Sequence, residues 1–159
     1  MSRFLTCLAA LLVACSLYAK PLAVGDAMPV LSLPDQHGKQ HTLQPGTVAI
    51  VMSCEMPHSK MLNQYLEKQG KDVFAERHIV YVSDISPMPA PITKMFALPK
   101  MQKYKHIMWL NRADDFAKQY PVRPNQLLIL KLGLDLKITA IAYVATTAEL
   151  EKVLGLHAR

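Results

Sequence analysis

One short segment of the sequence, 53–60, combines residue types that could do chemistry. It reads Ser-Cys-Glu-Met-Pro-His-Ser-Lys and supplies a thiol, a carboxylate, a thioether and an imidazole. Cys54 could act as a nucleophile, and His58 could serve as the nearby base that helps to ionise its thiol. That chemistry would be one-cysteine thiol transfer or peroxide reduction, so Cys54 and His58 are the candidate catalytic residues.

The same segment could instead bind a metal ion. The thiolate of Cys54, the thioether of Met56 and the imidazole of His58 are soft or borderline ligands that together suit Cu(I). Met61 is a further soft side chain, but a methionine at an apolar-periodic position is more often core filler. A Cu(I) carrier that uses Cys54, Met56 and His58 is therefore an alternative interpretation.

The simplest interpretation is that Cys54 is an inert, partly buried thiol, and we favour it. The negative charge of Glu55, next to the sulfur, would oppose formation of a thiolate. Glu55 and Asp84 could polarise His58 if the two carboxylates met at one edge of a sheet. We favour the plainer expectation that Glu55 enters a helix and Asp84 begins a loop.

The N-terminal residues predict export. A single charge at Arg3 is followed by the apolar run 4–14 and by a short stretch that ends in Ala19, which is the order of a signal peptide. The apolar run is about 16 Å long as a helix, too short to cross a hydrocarbon core of ~30 Å. We predict a signal peptide at 1–19 and a mature periplasmic domain at 20–159.

A second way of processing the same segment stays open. Residues 12–15 read Leu-Val-Ala-Cys, which resembles the lipobox of bacterial lipoproteins, and Cys15 would then carry lipid and anchor the domain to a membrane facing the periplasm. Cys7 lies in the signal peptide in either case. Cys54 is then the one cysteine of the domain itself, which excludes an intramolecular disulfide in the soluble form.

The net charge of the chain does not indicate a class of binding partner. There are 18 Lys and Arg residues against 12 Asp and Glu residues, a formal net charge of +6. The basic residues are scattered apart from a group at 94–105, which we interpret as a solvated helical face. Nothing in the sequence suggests nucleic-acid binding, and the partner, a periplasmic protein or a small molecule, stays unknown.

The elements that must position the 53–60 segment follow from periodicity. A short hairpin near 30–43 precedes a continuous apolar run at 47–53, which is typical of a central strand buried on both faces. Helical spacing follows at 58–77, where Gly70 interrupts it, and at 92–101, where we expect Ile92, Met95 and Phe96 to face inward. Strands are predicted at 78–83, 107–110, 127–132 and 137–144, and Thr147 is expected to cap a final helix. This alternation predicts an α/β sandwich with a mixed central sheet.

The layout resembles the thioredoxin fold, in particular the peroxiredoxin and thiol-disulfide branch with an N-terminal hairpin. The opening at 24–39 carries the likeness with a Gly, then a Pro, alternating Leu residues and an Asp-x-x-Gly-Lys turn. The resemblance implies a three-layer sandwich over 20–159 with the reactive site at the junction 53–60. Val51 stands where the resemblance would have a threonine three residues before a peroxidatic cysteine.

The site itself departs from the pattern, because the junction has no C-x-x-C. The residues Met56-Pro57-His58-Ser59 resemble the Cys-Pro-His-Cys of periplasmic disulfide oxidases with both cysteines replaced. The resemblance also makes Pro124 the candidate for a cis-proline that faces the site. We therefore expect a degenerate site that binds through Glu55, Met56, Pro57 and Pro124 as an accessory module, and that interpretation requires no cofactor.

Overall fold

The computed structural model describes residues 20–156, so the predicted signal peptide and Cys15 lie outside the described residues. The helices are α1 (Met56–Lys68), α2 (Val73–Glu76), α3 (Ala90–Ile92), α4 (Leu98–Met101) and α5 (Thr147–Leu154). The strands are β1 (Ser32–Pro34), β2 (Gln40–Thr42), β3 (Ala49–Ser53), β4 (Ile79–Asp84), β5 (Trp109–Asn111), β6 (Leu127–Leu132) and β7 (Ile138–Val144).

A five-stranded mixed sheet forms the centre, in the order β5-β4-β3-β6-β7. β3 pairs in parallel with β4 and antiparallel with β6, so every residue of β3 is buried. Its side chains alternate between faces: Ala49 and Val51 pack towards α1 and α5, whereas Ile50 and Met52 pack towards the N-terminal hairpin region and the 3-10 helix Phe116–Gln119. The expected three-layer α/β sandwich with an N-terminal hairpin is confirmed.

The N-terminal hairpin, β1 and β2, covers the outer edge of the sheet. Asp35 pairs with Trp109 of β5 in an isolated antiparallel bridge. Next to it the Gln36 side chain is buried, and its amide bonds to backbone groups as a neighbouring strand would. The Nε2 of Gln36 donates to the carbonyl of His106 at 2.8 Å, and its Oε1 accepts from the N–H of Met108 at 3.0 Å. A side chain thus satisfies two backbone groups of the segment that leads into the edge strand β5.

Asp35 holds this hairpin together from its turn. Its carboxylate accepts from the N–H groups of His37 and Lys39 and from Nε2 of His41 at 2.8 Å, and the His41 ring stacks on Trp109. Burial opposes ionisation of Asp35, but these hydrogen bonds outweigh it and hold the pKa below its ordinary value. The ionised carboxylate is therefore part of the folded state.

Asp35→Asn should lower the free energy of unfolding by about 1–3 kcal/mol at pH 7, because a charge-assisted network is lost. The pKa of Asp35 is lower in the folded protein than the ordinary value of 3.8 that it has in the unfolded chain. The ionised carboxylate therefore stabilises the protein fully above pH 3.8, and this stabilisation is lost as the pH falls through the folded pKa. The difference between wild type and variant should consequently shrink below about pH 4. Urea unfolding from pH 3 to 7 checks this, and a difference that stays constant with pH would contradict it.

Two helix ends agree with the sequence signals, one of them shifted by a residue. Gly70 follows α1 with a φ of +71°, a left-handed conformation that stops the helix where the pattern predicted an interruption. α5 is capped by Thr146 rather than by the expected Thr147. The Thr146 hydroxyl accepts from the N–H of Glu149, whose side chain returns to the backbone of Thr146, which makes a capping box.

The helical segment after β4 differs from expectation. α3 and α4 are joined by a π-helical stretch, Thr93–Ala97, that ends just before Pro99. Pro99 has no N–H to donate and its ring crowds the carbonyl four residues earlier, so a wider turn is the local solution. The prediction that Ile92, Met95 and Phe96 face inward is wrong, because all three side chains are exposed. Helical periodicity showed that they share a face but not whether that face is covered.

No helix within residues 20–156 combines the length and the apolar character needed to cross a membrane.

Candidate functional site

The predicted site lies where β3 ends and α1 begins, at the carboxyl end of the parallel strands. Under it, the buried hydroxyl of Ser53 lies within hydrogen-bond distance of Tyr81 at 3.2 Å and Ser83 at 3.4 Å. Ser59, in the first turn of α1, donates to Ser53 at 2.8 Å. These four hydroxyls, three of them from adjacent strands, fix the start of α1 on the sheet.

Cys54 lies between this network and the helix. It is the free cysteine of the described chain, and its side chain is partly buried. Burial, followed by the negative charges of Asp84 and Glu55, raises the pKa of the Cys54 thiol to about 11. At pH 7 only roughly one thiol in ten thousand is then ionised. A helix N-terminus normally favours a thiolate, but here burial and two carboxylates outweigh it.

Glu55 connects the start of α1 to the loop that carries Pro124. It occupies the N-cap position, yet its side chain does not cap its own helix. Instead its Oε2 accepts from the N–H of Asn125 at 3.1 Å and lies 3.6 Å from Nδ1 of His58. The Pro124 loop and the 53–60 segment therefore meet at one end of the sheet, as the antiparallel pairing of β3 with β6 requires.

The expectation of a cis-proline at Pro124 is wrong. Residues 20–156 contain no cis peptide bond, so the bond from Arg123 to Pro124 is trans. The chain turns instead at Asn125, which has a left-handed φ of +59°. Arg123 contributes by stacking over the ring of Tyr143 at 3.9 Å. A trans bond is the ordinary preference of an X-Pro pair, and here the loop needs no other isomer to reach Glu55.

Two of the candidate copper ligands, Met56 and His58, lie on different sides of α1. Met56 and His58 are two residues apart at the start of α1, which turns their side chains about 200° from each other around the helix axis. Met56 is exposed and lines a groove on the side of α4, whereas His58 is mostly buried beside Glu55. Met61 packs against the core. Among residues 20–156 no group of three His, Cys, Asp or Glu side chains could hold a metal ion.

A groove beside the junction was not predicted from the sequence. It has a volume of about 310 Å³ and runs between α1 and the segment from α3 to α4, over the end of β4. The lining includes Met56, Ile92 and Phe96, with Lys60 and Lys100. The only sequence signal for it was the apolar spacing in 92–101, which we had interpreted as a core face.

Comparisons with known proteins bear on this arrangement through the fold. No family model matches the sequence, and no curated protein is similar to it. Solved structures do match: peroxidoxin BcpB from Mycobacterium tuberculosis is 17% identical with a TM-score of 0.57, over 83% of this chain and 94% of that one. A peroxiredoxin-like protein from Aquifex aeolicus is 11% identical with a TM-score of 0.56, over 87% and 90%.

A third match comes from the disulfide-exchange branch. Thio-disulfide isomerase from Thermus thermophilus is 20% identical with a TM-score of 0.53, over 85% of this chain and 96% of that one. The fold is that of thioredoxin. At these identities the thioredoxin fold is what the comparison shows, and the chemistry must be argued from the site itself.

Within the thioredoxin fold, the segment 56–59 lies where a dithiol motif would begin the first helix after the central strand. Met56 is the first residue of α1 and is exposed, and Ser59 lies one turn further on, partly buried against Ser53. Neither residue is a thiol. The first turn of α1 therefore carries no thiol at either of these two positions.

Proposed function

We propose that the chain is exported and that its domain, 20–159, acts in the periplasm as a thioredoxin-fold binding or accessory module without dithiol catalysis. One observation carries the proposal: the lone thiol at the strand–helix junction, Cys54, has its pKa raised to about 11. Thiol–disulfide exchange begins with attack by a thiolate. A site that suppresses its thiolate is poorly suited to that reaction.

The composition of the junction supports the same proposal. A mixed disulfide on Cys54 could not be resolved within the domain, because Cys7 and Cys15 both fall in the predicted signal peptide. No hydrogen bond joins His58 to Cys54 within residues 20–156: the Nδ1 atom of His58 is buried without a hydrogen bond and lies 3.6 Å from Glu55 Oε2. What the junction does offer is the open apolar groove next to it.

The mature protein should neither reduce insulin disulfides nor consume peroxide faster than the Cys54→Ser variant, because little thiolate exists at neutral pH. Alkylation of Cys54 should rise with pH towards a midpoint near 11. Glu55→Gln, which removes the weaker of the two carboxylate charges, should lower that midpoint by a small amount. Turnover that Cys54→Ser abolishes, or an alkylation midpoint below about 8, would contradict the proposed loss of catalysis.

Export has its own test. When the full chain is expressed in a bacterial host, the intact mass should correspond to a product that begins at Lys20 or, if the lipobox is used, to a lipidated product that begins at Cys15. Cys15→Ala separates the two forms, because it leaves the first unchanged and removes the second from the membrane fraction. A cytoplasmic product that retains Met1 would show that the proposed export is wrong.

A further inference from the structure

We propose that the groove between α1 and the segment from α3 to α4 binds the apolar face of an acidic amphipathic helix of a partner protein. This inference rests on the proposed binding function and adds the chemistry of the partner. It concerns the side of the junction that faces the segment from α3 to α4.

The groove is small for a ligand site, and the apolar side chains of its walls are largely exposed. Its volume of about 310 Å³ is at the lower limit of small-molecule sites, which bury most of the ligand surface. The apolar side chains stand out at its walls: Met56 is 65% exposed and Phe96 69%. Met95, 67% exposed, continues the apolar surface beyond the groove. Covering such a surface requires a partner of polypeptide size.

The walls determine the backbone form of that partner. Both walls are helical, and the floor is the end of β4, where Ser83 is paired on one side with Ser53 and on the other with Leu110. An incoming extended strand would find no free strand edge to pair with here. A helix satisfies its own backbone hydrogen bonds, so it can lie between two helices with an apolar face towards the sheet.

The charges favour an acidic partner. Lys60 and Lys100 line the groove, and Lys94 lies in the adjoining depression; none of the three forms an ion pair within residues 20–156. The lining also contains two carboxylates, Glu55 and Asp84, which keep their negative charge but have hydrogen-bond partners within the domain, whereas the lysines are exposed at the rim. Glu55 accepts from Asn125, and Asp84 accepts from the N–H of Ser86 and the side-chain amide of Asn111. Acidic residues that flank the apolar face would meet the lysines at the rim.

Three methionine side chains allow the groove to adapt to partners of different shape. Met56, Met88 and Met101 all line it, and an unbranched thioether side chain adapts to different apolar surfaces at little cost. A groove of this kind can accept helices that share apolar spacing and acidic flanks without sharing a sequence.

Two synthetic peptides test the proposal. Each is a helical amphipathic peptide of about 18 residues with leucine at i, i+3, i+4 and i+7, and the flanking positions are all glutamate in one and all lysine in the other. By fluorescence anisotropy at moderate salt, the glutamate peptide should bind the mature protein at least about tenfold more tightly. Lys60→Glu/Lys100→Glu should abolish or reverse this preference.

Phe96→Ser should weaken binding of the glutamate peptide at least about fivefold, because it removes an apolar wall. Phe96 is so exposed that the fold should be unaffected, which thermal unfolding checks. Leu134→Ser, at the 85% exposed turn between β6 and β7, is the matched control and should leave binding unchanged. Equal binding of both peptides, no binding, or insensitivity to Phe96→Ser would overturn the inference. The turnover and alkylation assays of Cys54 would still decide the loss of catalysis separately.

Discussion

Replacing Gln36 with alanine should lower the free energy of unfolding by about 2–5 kcal/mol, the largest single loss we expect outside the apolar core. The Gln36 side chain is fully buried, and its amide is bonded to the carbonyl of His106 and the N–H of Met108. Alanine would leave both backbone groups buried without partners, at about 1–3 kcal/mol each. Urea unfolding followed by circular dichroism measures the loss.

Gln64→Ala provides the control for this prediction. Gln64 is an exposed residue of α1, so the same substitution there should change the free energy of unfolding by less than about 0.5 kcal/mol. A loss below about 1 kcal/mol in Gln36→Ala would mean that the edge strand β5 does not depend on the side-chain pairing. The expected result would instead identify the N-terminal hairpin as an integral part of the sheet.

Much of the fold could be predicted because its signals are local. The continuous apolar run at 47–53 predicted a central strand, and β3 is buried along its whole length. The glycine at position 70 predicted the break after α1. Strand–helix alternation then limits the pairing of neighbouring strands, and with it the end of the sheet where Cys54 lies.

The parts that could not be predicted depend on contacts between distant residues. The turn at 35–39 was recognised, but no periodicity shows that Gln36 pairs with residues about seventy positions later in the chain. The bond from Asn125 to Glu55 spans a similar distance and joins the two loops of the site. Burial of Cys54, and hence its raised pKa, depends on the same long-range packing.

The groove illustrates a different limit of prediction from sequence. Apolar residues at helical spacing predict a face, and in most small domains such a face packs on the core. Here, within the π-helical stretch before Pro99, Thr93 is buried whereas Met95 and Phe96 are exposed. A pattern in the sequence cannot distinguish a face that the domain covers from one that it leaves open.

Introducing two cysteines should give the domain a dithiol activity, which the proposed function does not ascribe to the wild-type protein. In a Cys54→Ser background, Met56→Cys/Ser59→Cys creates Cys-Pro-His-Cys at the start of α1. Residues three apart in a helix have Cβ atoms about 5–6 Å apart, and a small adjustment of the first turn brings them near the ~4 Å of a disulfide. The first sulfur would be exposed at the helix N-terminus, where a thiolate is favoured.

With glutathione disulfide as the oxidant, the double variant should form a reversible disulfide, seen as the loss of two hydrogens by mass. With dithiothreitol as the reductant, it should reduce insulin at least about tenfold faster than its Cys54→Ser parent. Glu55 and Asp84 stay in place and oppose ionisation of a nearby thiol, so the gain should be moderate and should increase when Glu55→Gln is added. Each single cysteine variant should remain at the parent rate, because neither has a second thiol to resolve a mixed disulfide. If the disulfide forms without turnover, the junction lacks more than its sulfur atoms, and if it does not form, residues 56 and 59 do not lie in dithiol geometry.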